Sequence, residues 1–380
     1  MNNPITLTDA REREFPIVAE YTYLNAAAMA PLPERTVRAI QHTAQLKQFP
    51  GTERYRAKPQ PEAIAKERLA RLINASTEDI VFTGNTSHGL NIAAHGIDWR
   101  AGDNVIVPEN EFPSLAYLWF NLQHWGVEVR FVPWSGAGPT VDEIMAAVDE
   151  RTRAVSCSVI KWDTGYRIDL EELGRRCEER GVLLIVDAIQ AVGAQRVDVK
   201  AARVSALSTH GYKWLMSGHG LGALYVAPQA IDRIRPGFIG YTAIADDGLA
   251  FKGEIKFKPG AGRYGTGGGN RLGQTALAAS LSLIEEIGIG TIEEQNRALS
   301  EMLYSGLQKK SVQIVSSPDP ARRTAITVFT LGSQERDAAF VEELDKQRIS
   351  VSLRPLGVRV SPDFYNDEAE IARLLDAVPA

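Results

Sequence analysis

The sequence predicts an α/β protein, with a large domain built on a mostly parallel sheet flanked by helices and a smaller α+β C-terminal domain. From Ile80 onward, short apolar runs alternate with stretches of helical length, a pattern typical of parallel βαβ units. After Gly237 the chain becomes rich in loops and glycines, which indicates a change of architecture. A length of 380 residues is sufficient for two domains. We expect an N-terminal segment that packs on the small domain (1–20), the large domain (21–254) and the small domain (255–380).

Composition and charge exclude several classes of function. The net charge of −5 is spread over interspersed residues of both signs, so no basic patch indicates nucleic-acid binding. No apolar run reaches the length of a membrane span, and the N-terminus lacks the basic start and apolar core of a signal peptide. The two cysteines, Cys157 and Cys177, form neither a disulfide framework nor a metal-binding pattern. We expect a cytoplasmic protein with structural thiols and no metal site.

The elements before the alternating region are helices and one short strand. The charged first 20 residues are expected to be helical. The stretch Y-T-Y-L-N-A-A-A-M-A-P-L-P predicts a short strand followed by a turn of small residues, which permit close approach to a ligand or tight packing. Helices are expected at 33–47 and 62–73, with a loop bearing glycine and proline at 50–61 between them.

The alternating region consists of predicted strands separated by turns and helices. The strands are I-V-F-T, N-V-I-V-P, V-E-V-R-F-V-P-W, A-V-S-C-S-V-I, V-L-L-I-V-D and residues 223–227. The small domain combines a long helix at 274–287, the strands R-T-A-I-T-V-F-T-L and I-S-V-S-L-R-P, and a closing helix. Ligands of such parallel sheets bind outside the carboxyl ends of the strands. The polar residues that end these strands are therefore the candidate site residues.

A lysine with aromatic neighbours lies between residues 208 and 222, after a short mixed segment at 204–207. Tyr212 and Trp214 flank Lys213, which indicates that its amine is partly enclosed. Enclosure disfavours the charged form and lowers the pKa, as an amine that forms a Schiff base requires. The alternative is a lysine whose aliphatic stem merely packs along two aromatic rings.

A buried carboxylate is expected at Asp187, because five apolar residues precede it in its strand. Such a carboxylate costs several kcal/mol unless a cation pairs with it. Asp187 is therefore either a helix cap or structural ion pair, or a partner that keeps a heteroaromatic nitrogen protonated. Gln190, three residues later, is placed to reach the same ligand or is an ordinary amide.

Two further strand-to-helix turns carry candidate residues. Thr86 and Ser87 open a helix, where free N–H groups and the helix dipole favour an anion. No glycine-rich nucleotide motif is present, so a single phosphate suits this turn better than a nucleotide, and a merely well-capped helix is the alternative. Phe112, in E-N-E-F-P-S, is either a core residue or a ring that stacks on a planar ligand.

These features together describe a ligand that is planar, phosphorylated, protonated and bound as a Schiff base, which is pyridoxal 5′-phosphate (PLP). From Tyr23 to its end, the chain resembles the class V aminotransferase family of fold type I PLP enzymes. That group contains cysteine desulfurases, kynureninase and isopenicillin N epimerase-like enzymes. The motifs V-D-A-I-Q-A-V-G, G-Y-K-W-L and G-V-R-V-S-P-D-F-Y-N carry the resemblance, in the order and spacing of the family.

The resemblance implies a role for each candidate that binds the cofactor. Lys213 would form the Schiff base and later move the α-proton of the substrate. Asp187 would pair with the pyridinium nitrogen, and Gln190 would bond the ring 3′-oxygen. Thr86 and Ser87 would bind the phosphate.

The resemblance also implies residues that contact the substrate or the ring face. Arg359 matches the arginine that binds the substrate carboxylate as a bidentate fork, and Arg354 is a second candidate for that clamp. Either arginine is alternatively an ion pair in domain packing. Asn25 is expected to bind substrate. Phe112 would stack on the ring where desulfurases carry a histidine, as in the kynureninase and epimerase-like branches.

Departures from the family pattern affect other positions. His210 stands where desulfurases have a serine and would reach the phosphate in its place, and Tyr212 replaces a histidine. Trp162 occupies a position that is often asparagine. The motif that the neighbouring subunit supplies becomes R-Y-G-T-G-G-G-N, so Thr266 is the candidate phosphate contact across a homodimer with shared active sites.

The activity implied by the resemblance is chemistry at the α-carbon of an amino acid, through an external aldimine. We expect an aminotransferase or a C–S lyase acting by β-elimination, with an epimerase or racemase as the alternative. A cysteine desulfurase is disfavoured, because it needs a reactive cysteine in the C-terminal domain and the last cysteine is Cys177. Intact Lys213, Asp187 and Arg359 argue against a non-catalytic relative. A sugar-nucleotide aminotransferase would not need Arg359.

Overall fold

The computed structural model describes residues 5–53, 60–245 and 255–379. Residues 1–4 of the predicted N-terminal segment and 54–59 of the predicted loop lie outside the described residues. The predicted boundary between residues 254 and 255 falls at the end of a further stretch that is outside them, 246–254. The division of the chain into 1–20, 21–254 and 255–380 therefore stays a prediction.

The large core is a seven-stranded sheet with the order β2-β8-β7-β6-β5-β3-β4. All neighbouring pairs are parallel except those that involve β8, which is antiparallel to β2 and to β7. Its strands are β2 (Ile80–Thr83), β3 (Asn104–Pro108), β4 (Glu128–Val132), β5 (Thr152–Ser158), β6 (Leu183–Asp187), β7 (Ala206–His210) and β8 (Gly222–Val226). The predicted mostly parallel sheet flanked by helices is confirmed.

The loop between β7 and β8 explains the reversed strand. A parallel connection needs a crossover of a dozen or more residues, usually with a helix, whereas residues 211–221 return the chain directly along β7. Strand β7 also extends to His210, three residues beyond the predicted segment at 204–207. The polar residue Ser208 is buried there without cost, because its hydroxyl donates to the Thr86 carbonyl at 2.9 Å.

Helices precede and separate the strands of the large sheet, at the chain positions that the sequence predicts. They are α1 (Leu7–Glu14), α2 (Glu34–Leu46), α3 (Pro61–Leu72), α4 (Thr86–His95), α5 (Pro113–Leu122), α6 (Val141–Ala146) and α7 (Leu170–Glu179). The long helix α8 (Arg271–Ile287) contacts α2 and α3, and its buried residues Leu277, Leu281 and Ile284 belong to the core of the large sheet. This helix follows the predicted boundary near 255 but packs with the elements that precede it.

A second core lies in the C-terminal part. It contains a four-stranded antiparallel sheet with the order β12-β13-β10-β9, formed by β9 (Gln313–Ile314), β10 (Thr327–Thr330), β12 (Ser352–Arg354) and β13 (Gly357–Val360). Helices α9 (Ile289–Leu307), α10 (Gln334–Lys346) and α11 (Glu368–Ala377) accompany it. Leu24 is buried in the same cluster, because β1 (Thr22–Tyr23) pairs with β11 (Ile349–Ser350).

The N-terminal helix α1 contacts the C-terminal part of the chain. Arg11 forms an ion pair with Glu370 at 2.6 Å. The ring of Phe15 lies 4.5 Å from that of Tyr365. The segment thus connects the two ends of the polypeptide.

No single helix in the described ranges is long and apolar enough to cross a membrane. Helices α8 and α9 reach such a length and composition only as a pair, and that pair is bent by 78°.

Candidate active site

The candidate residues gather at the carboxyl edge of the large sheet. Ser158 ends β5, Asp187 ends β6 and His210 ends β7, and Ser158 and Asp187 are register partners. Because β8 runs in the opposite direction, its first residue, Gly222, lies at the same edge and pairs with both His210 and Thr83. Residues from five strands of the sheet therefore meet at one place, as expected for a ligand site of a parallel sheet.

Asp187 is a buried carboxylate that is fixed by the backbone. Its Oδ1 accepts the N–H of Ile189 at 2.9 Å. Burial raises the pKa of this carboxyl, while the Ile189 N–H and the charge of Lys213 act in the opposite direction. The nearby charge of Glu111 adds to the increase. The carboxylate is therefore held away from water in a position where a cation stabilises it.

Lys213 is only 7% exposed and lies in the loop between β7 and β8. Burial lowers the pKa of its amine, the neighbouring charge of Arg359 lowers it further, and Asp187 opposes the shift. Its Nζ lies 5.9 Å from the centre of the Phe112 ring and 5.6 Å from that of Tyr212. The enclosure that the sequence predicts is present, and it favours the neutral amine that acts as a nucleophile.

Gln190 is held in one orientation by two buried hydrogen bonds. Its Nε2 donates to the Ala27 carbonyl at 3.1 Å, and its Oε1 accepts the indole N–H of Trp214 at 2.9 Å. Ala27 belongs to the turn of small residues that follows β1. That turn therefore approaches the sheet edge closely, and the aromatic residue after Lys213 orients an amide of the site.

Thr86 and Ser87 form the first turn of α4 after the N-cap residue Asn85. The Asn85 side chain accepts the N–H of His88 at 2.8 Å. The Thr86 hydroxyl is buried and has no hydrogen-bond partner among the described residues, and the same holds for Thr209 on β7. An anion at this helix terminus would find both the positive end of the helix dipole and an unused hydroxyl.

Phe112 precedes α5 and is positioned by its neighbour Glu111. The buried Glu111 carboxylate accepts the backbone N–H of Ser158 at 2.9 Å and also its hydroxyl. The ring of Phe112 packs edge-to-face on Trp162, with 5.6 Å between the ring centres. Phe112 thus lies between an aromatic wall and the amine of Lys213.

His210 lies at the same edge with a neutral imidazole. Its Nε2 accepts the N–H of Gly220 at 3.2 Å, in a turn where Gly220 adopts a φ of +87°. Burial, with smaller contributions from His219 and Lys213, lowers the pKa of His210 to about 4. At neutral pH the ring is therefore a hydrogen-bonding group without charge.

Arg354 and Arg359 come from β12 and β13, which we call the arginine hairpin (352–360). Arg359 is buried, and its Nη1 donates to the Trp162 carbonyl at 2.9 Å. The charges of both arginines lower the pKa of Lys213, which places them within electrostatic range of the amine. Asn25 joins this group through its Oδ1, which accepts the Ser352 hydroxyl at 2.6 Å.

Thr266 is separate from the other candidates within one chain. It is exposed beside the loop at Gly240, and its side chain has no hydrogen bond to them in the described part of the chain. Its predicted role concerns a neighbouring subunit and stays a prediction.

The structure adds residues that the sequence does not single out as site residues. Glu111 and Ser158 hold the loop of Phe112, and Trp162 lines the wall beside Phe112. Glu111 carries a recognisable signal, since it is an acidic residue shortly after a buried strand. The contact of Trp162 with Arg359 joins positions 197 residues apart and has no local signature.

A buried lysine, a buried carboxylate and a helix N-terminus with an unpartnered hydroxyl in the described part of the chain meet at the carboxyl edge of this sheet, an arrangement that fits a PLP-dependent enzyme of fold type I. Comparison with known proteins identifies the family of this chain. The sequence model of the family "Aminotransferase class-V" matches residues 22–374. The chain belongs to the class V aminotransferase family.

Relatives within this family carry several names. A probable cysteine desulfurase of Methanothermobacter thermautotrophicus is 34% identical over 310 residues, covering 78% of this chain and 75% of the relative. An uncharacterized protein of Schizosaccharomyces pombe, C11D3.10, is 32% identical over 84% of this chain and 76% of its own length. An isopenicillin N epimerase of Amycolatopsis lactamdurans is 27% identical over 94% of both chains.

Solved structures match the fold over almost the whole chain. The cystine C–S lyase C-DES, in complex with its product cysteine persulfide, superimposes with a TM-score of 0.87 at 25% identity, covering 97% of this chain and all of that one. A C-DES mutant with glycine covalently linked to its PLP cofactor gives a TM-score of 0.88, again at 25% identity, over 96% of this chain and 98% of that one. The protein is therefore a PLP-dependent enzyme, as the sequence predicts.

The residues of this chain fit that cofactor. The Thr86 hydroxyl at the start of α4 is a buried donor that has no partner in the described part of the chain, as a bound phosphate requires. The Lys213 amine lies 5.9 Å from the centre of the Phe112 ring and within electrostatic range of Asp187. An aromatic ring to stack on the cofactor, an amine for a Schiff base and a carboxylate for the pyridinium nitrogen are therefore available.

Proposed function

We propose that this enzyme removes the α-proton of an amino acid, with Lys213 as the base, and acts as an aminotransferase or as a C–S lyase by β-elimination. The observation that carries the proposal is the buried Lys213 amine, which lies 5.9 Å from the centre of the Phe112 ring and within electrostatic range of Asp187 and Arg359. Among the described residues, no carboxylate lies within 4.0 Å of the Arg359 guanidinium. When bound, PLP withdraws electrons from the α-carbon and makes its proton acidic. The amine of Lys213 accepts that proton, because burial favours its neutral form.

The other residues hold and orient the two ligands. Asp187 would keep the cofactor nitrogen protonated, Gln190 would donate to the ring oxygen, and Phe112 would cover the ring. Thr86 and Ser87 at the start of α4 would bind the phosphate, with His210 nearby as a neutral partner. Support comes from the carboxyl edge of the sheet, which brings these side chains together.

The cysteines of the chain argue against a desulfurase that relays sulfur through its own thiol. The sequence contains only Cys157 and Cys177, and both are buried. Burial raises the pKa of Cys177 to about 12 and that of Cys157 well above its usual range. Neither thiol is ionised at neutral pH, so neither is a nucleophile that accepts sulfur.

Epimerisation is the second candidate activity, because the isopenicillin N epimerase relative matches over 94% of the chain. The proton removed by Lys213 would then return to the opposite face of the α-carbon. Incubation in deuterium oxide separates the possibilities. An epimerase yields the other enantiomer with deuterium at the α-carbon, whereas a transaminase yields a keto acid and a lyase yields pyruvate, ammonia and a thiol.

We also propose a homodimer with two shared active sites. Phe238 is 66% and Tyr241 73% exposed, and both lie in the segment before Thr266. Large apolar side chains at such exposure are typical of a surface that a partner covers. Light scattering of the purified enzyme tests this, and a monomer with full activity would contradict it. The cytoplasmic location stays a prediction from the sequence.

The first experiment is an absorbance spectrum of the purified protein with PLP. We expect a visible–ultraviolet band from the lysine-bound cofactor that is absent in Lys213→Ala, together with a loss of activity of about 10²–10⁴-fold or more. A wild-type protein with PLP and no such band would refute the proposed function. If the band is present, addition of L-amino acids and cysteine conjugates under anaerobic conditions identifies the products and hence the reaction.

A further inference from the structure

The arginine hairpin presents two cations on one face. Ser352 and Arg359 are direct register partners across the antiparallel pair β12–β13, so their side chains lie on the same side of the sheet. Arg354 follows Ser352 by two residues in the same strand and therefore shares that side. Both guanidinium groups are thus directed to the same region beside Lys213, whose amine both of them influence.

Neither guanidinium has an anionic partner. The Arg354 Nη atoms donate only to neutral oxygens, the Leu353 carbonyl at 3.2 Å and the Ser352 hydroxyl at 3.4 Å. The Nε of Arg354 and both Nε and Nη2 of Arg359 are buried and have no partner in the part of the chain that the structure describes. Within residues 5–53, 60–245 and 255–379, no carboxylate lies within 4.0 Å of either guanidinium, although those residues form many other arginine ion pairs.

The buried Arg359 cation is costly unless an anion neutralises it, and the cost is smaller for Arg354, which is only half-buried. Asp163 acts on Arg359 electrostatically, but its carboxylate lies 4.0 Å from the buried amine of Lys161 and shares its charge with that group. One α-carboxylate satisfies one guanidinium fork. A substrate with a neutral side chain has only its α-carboxylate and therefore neutralises one of the two guanidinium groups. The other guanidinium of the hairpin is then left without an anion.

We propose that the substrate is an amino acid whose side chain ends in a second acidic group, with its α-carboxylate on Arg359 and the second acid on Arg354. This inference rests on the proposed function, because it names the substrate class of the same site. The indole N–H of Trp162 is a further buried donor without a partner beside Phe112. An indole N–H without a partner among the described residues suits a ligand that carries several hydrogen-bond acceptors.

Asn25 acts as a positioning residue for Arg354. Its Oδ1 accepts the Ser352 hydroxyl at 2.6 Å, and the Ser352 oxygen accepts from Arg354. Asn25 itself is anchored by a bond from Nδ2 to the Val351 carbonyl at 3.4 Å. This chain of bonds orients the second guanidinium without neutralising it, and so leaves it available to a ligand.

The test uses a ligand that has both acids and no amine. Calorimetric titration of the PLP-loaded enzyme compares glutarate with its monoamide, which differ by one charge at nearly constant shape. We expect glutarate to bind at least about tenfold more tightly, and Arg354→Gln to reduce this ratio to about one or two. Arg354→Lys retains a charge and should keep an intermediate ratio. Arg38→Gln, at a side chain that is 67% exposed and outside the site, serves as the matched control.

The outcomes separate this inference from the proposed function. Equal binding of glutarate and its monoamide would overturn it, and so would a ratio that survives in Arg354→Gln while Arg354→Lys resembles wild type. If both arginines instead fork onto one carboxylate, Arg354→Gln weakens both ligands equally and the ratio persists, which would also overturn the inference. The proposed function fails differently, through the absence of the Lys213-dependent absorbance band. That band and the circular dichroism spectrum also show whether each variant is folded.

Discussion

Two groups of residues face each other in the candidate site, and their polar atoms are satisfied differently. At the sheet edge, Asp187 accepts a backbone N–H, and Gln190 is fixed between Ala27 and Trp214. In the arginine hairpin, Arg354 and Arg359 have buried N–H groups that find no partner among the described residues. At the sheet edge, Asp187 and Gln190 are therefore fixed in one geometry, and the Thr86 hydroxyl is a group there that has no partner among the same residues. The unpartnered guanidinium N–H groups of the hairpin agree with our proposal that this side of the site binds and releases substrate.

Arg359→Met is the substitution with the largest expected effect, and it tests this contrast. We expect kcat/KM to fall about 10²–10³-fold, because a charge-assisted fork to the substrate carboxylate is lost. The cofactor absorbance band should persist, since Lys213 is unchanged. In the absence of substrate, the free energy of unfolding should not decrease, because the variant removes a buried cation that has no anionic partner. Urea denaturation and steady-state kinetics measure the two quantities.

Arg35→Met is the matched comparison for that stability measurement. Arg35 forms an ion pair at 2.8 Å with Glu14, whose side chain is buried. Its removal leaves that carboxylate unpaired, and we expect a loss of about 1–3 kcal/mol in the free energy of unfolding. Equal destabilisation by Arg35→Met and Arg359→Met would contradict the distinction between a satisfied and an unsatisfied arginine.

A second prediction concerns Asp363, which is linked to the large core through Asn296. Its Oδ1 accepts from Asn296, which also donates to the Ala194 carbonyl of the large core, and its Oδ2 is buried without a partner. Burial raises the pKa of Asp363 to about 7. The folded protein therefore holds this proton at pH values where the unfolded chain, with an ordinary pKa of 3.8, has lost it. Stability from this group is lost as the pH rises from about 4 to about 7.

Asp363→Asn removes that titration. We expect the variant to gain stability relative to wild type as the pH rises through this window, by on the order of 1–4 kcal/mol at pH 8, and the two proteins to converge near pH 4. Denaturation curves at a series of pH values measure the difference. Parallel pH profiles of the two proteins would show that Asp363 is ionised in the folded state.

The smallest predicted effect lies within the hairpin, at Ser352. Ser352→Ala removes the hydroxyl that connects Asn25 to Arg354. We expect KM to increase about 2–10-fold with little change in kcat, because one hydrogen bond that orients a binding group is lost. Ser350→Ala, on the neighbouring strand β11, is the control, since the Ser350 hydroxyl has no hydrogen bond to the described residues. An equal change in both variants would contradict a positioning role for Ser352.

Much of the sheet edge was predictable from sequence, because its residues follow apolar strands directly. Asp187 and Thr86 carry local signals of this kind, and the enclosure of Lys213 follows from its aromatic neighbours. The family and the cofactor predicted from the motifs are confirmed.

The remaining features depend on packing between distant parts of the chain. The reversed strand β8 and the extension of β7 to His210 follow from the direct return of the loop at 211–221. Helix α8 has the apolar pattern of any buried helix, so its packing on α2 and α3 rather than on the C-terminal sheet has no local signal. The unpartnered state of Arg359 is likewise a property of the assembled structure, since sequence alone leaves an ion pair equally open.

The pairing of β1 with β11 has a consequence for biosynthesis. Residues 22–24 emerge from the ribosome early, yet their strand partner is at 349–350 and Leu24 is buried among side chains from 299–378. At ordinary rates of translation, the strand partner is synthesised on the order of tens of seconds after this strand. The large sheet is complete by residue 226 and is free to form during that interval. We therefore expect the large sheet to be ordered in nascent chains that stop before residue 349. In the same chains, the N-terminal segment should still be cleaved by proteases.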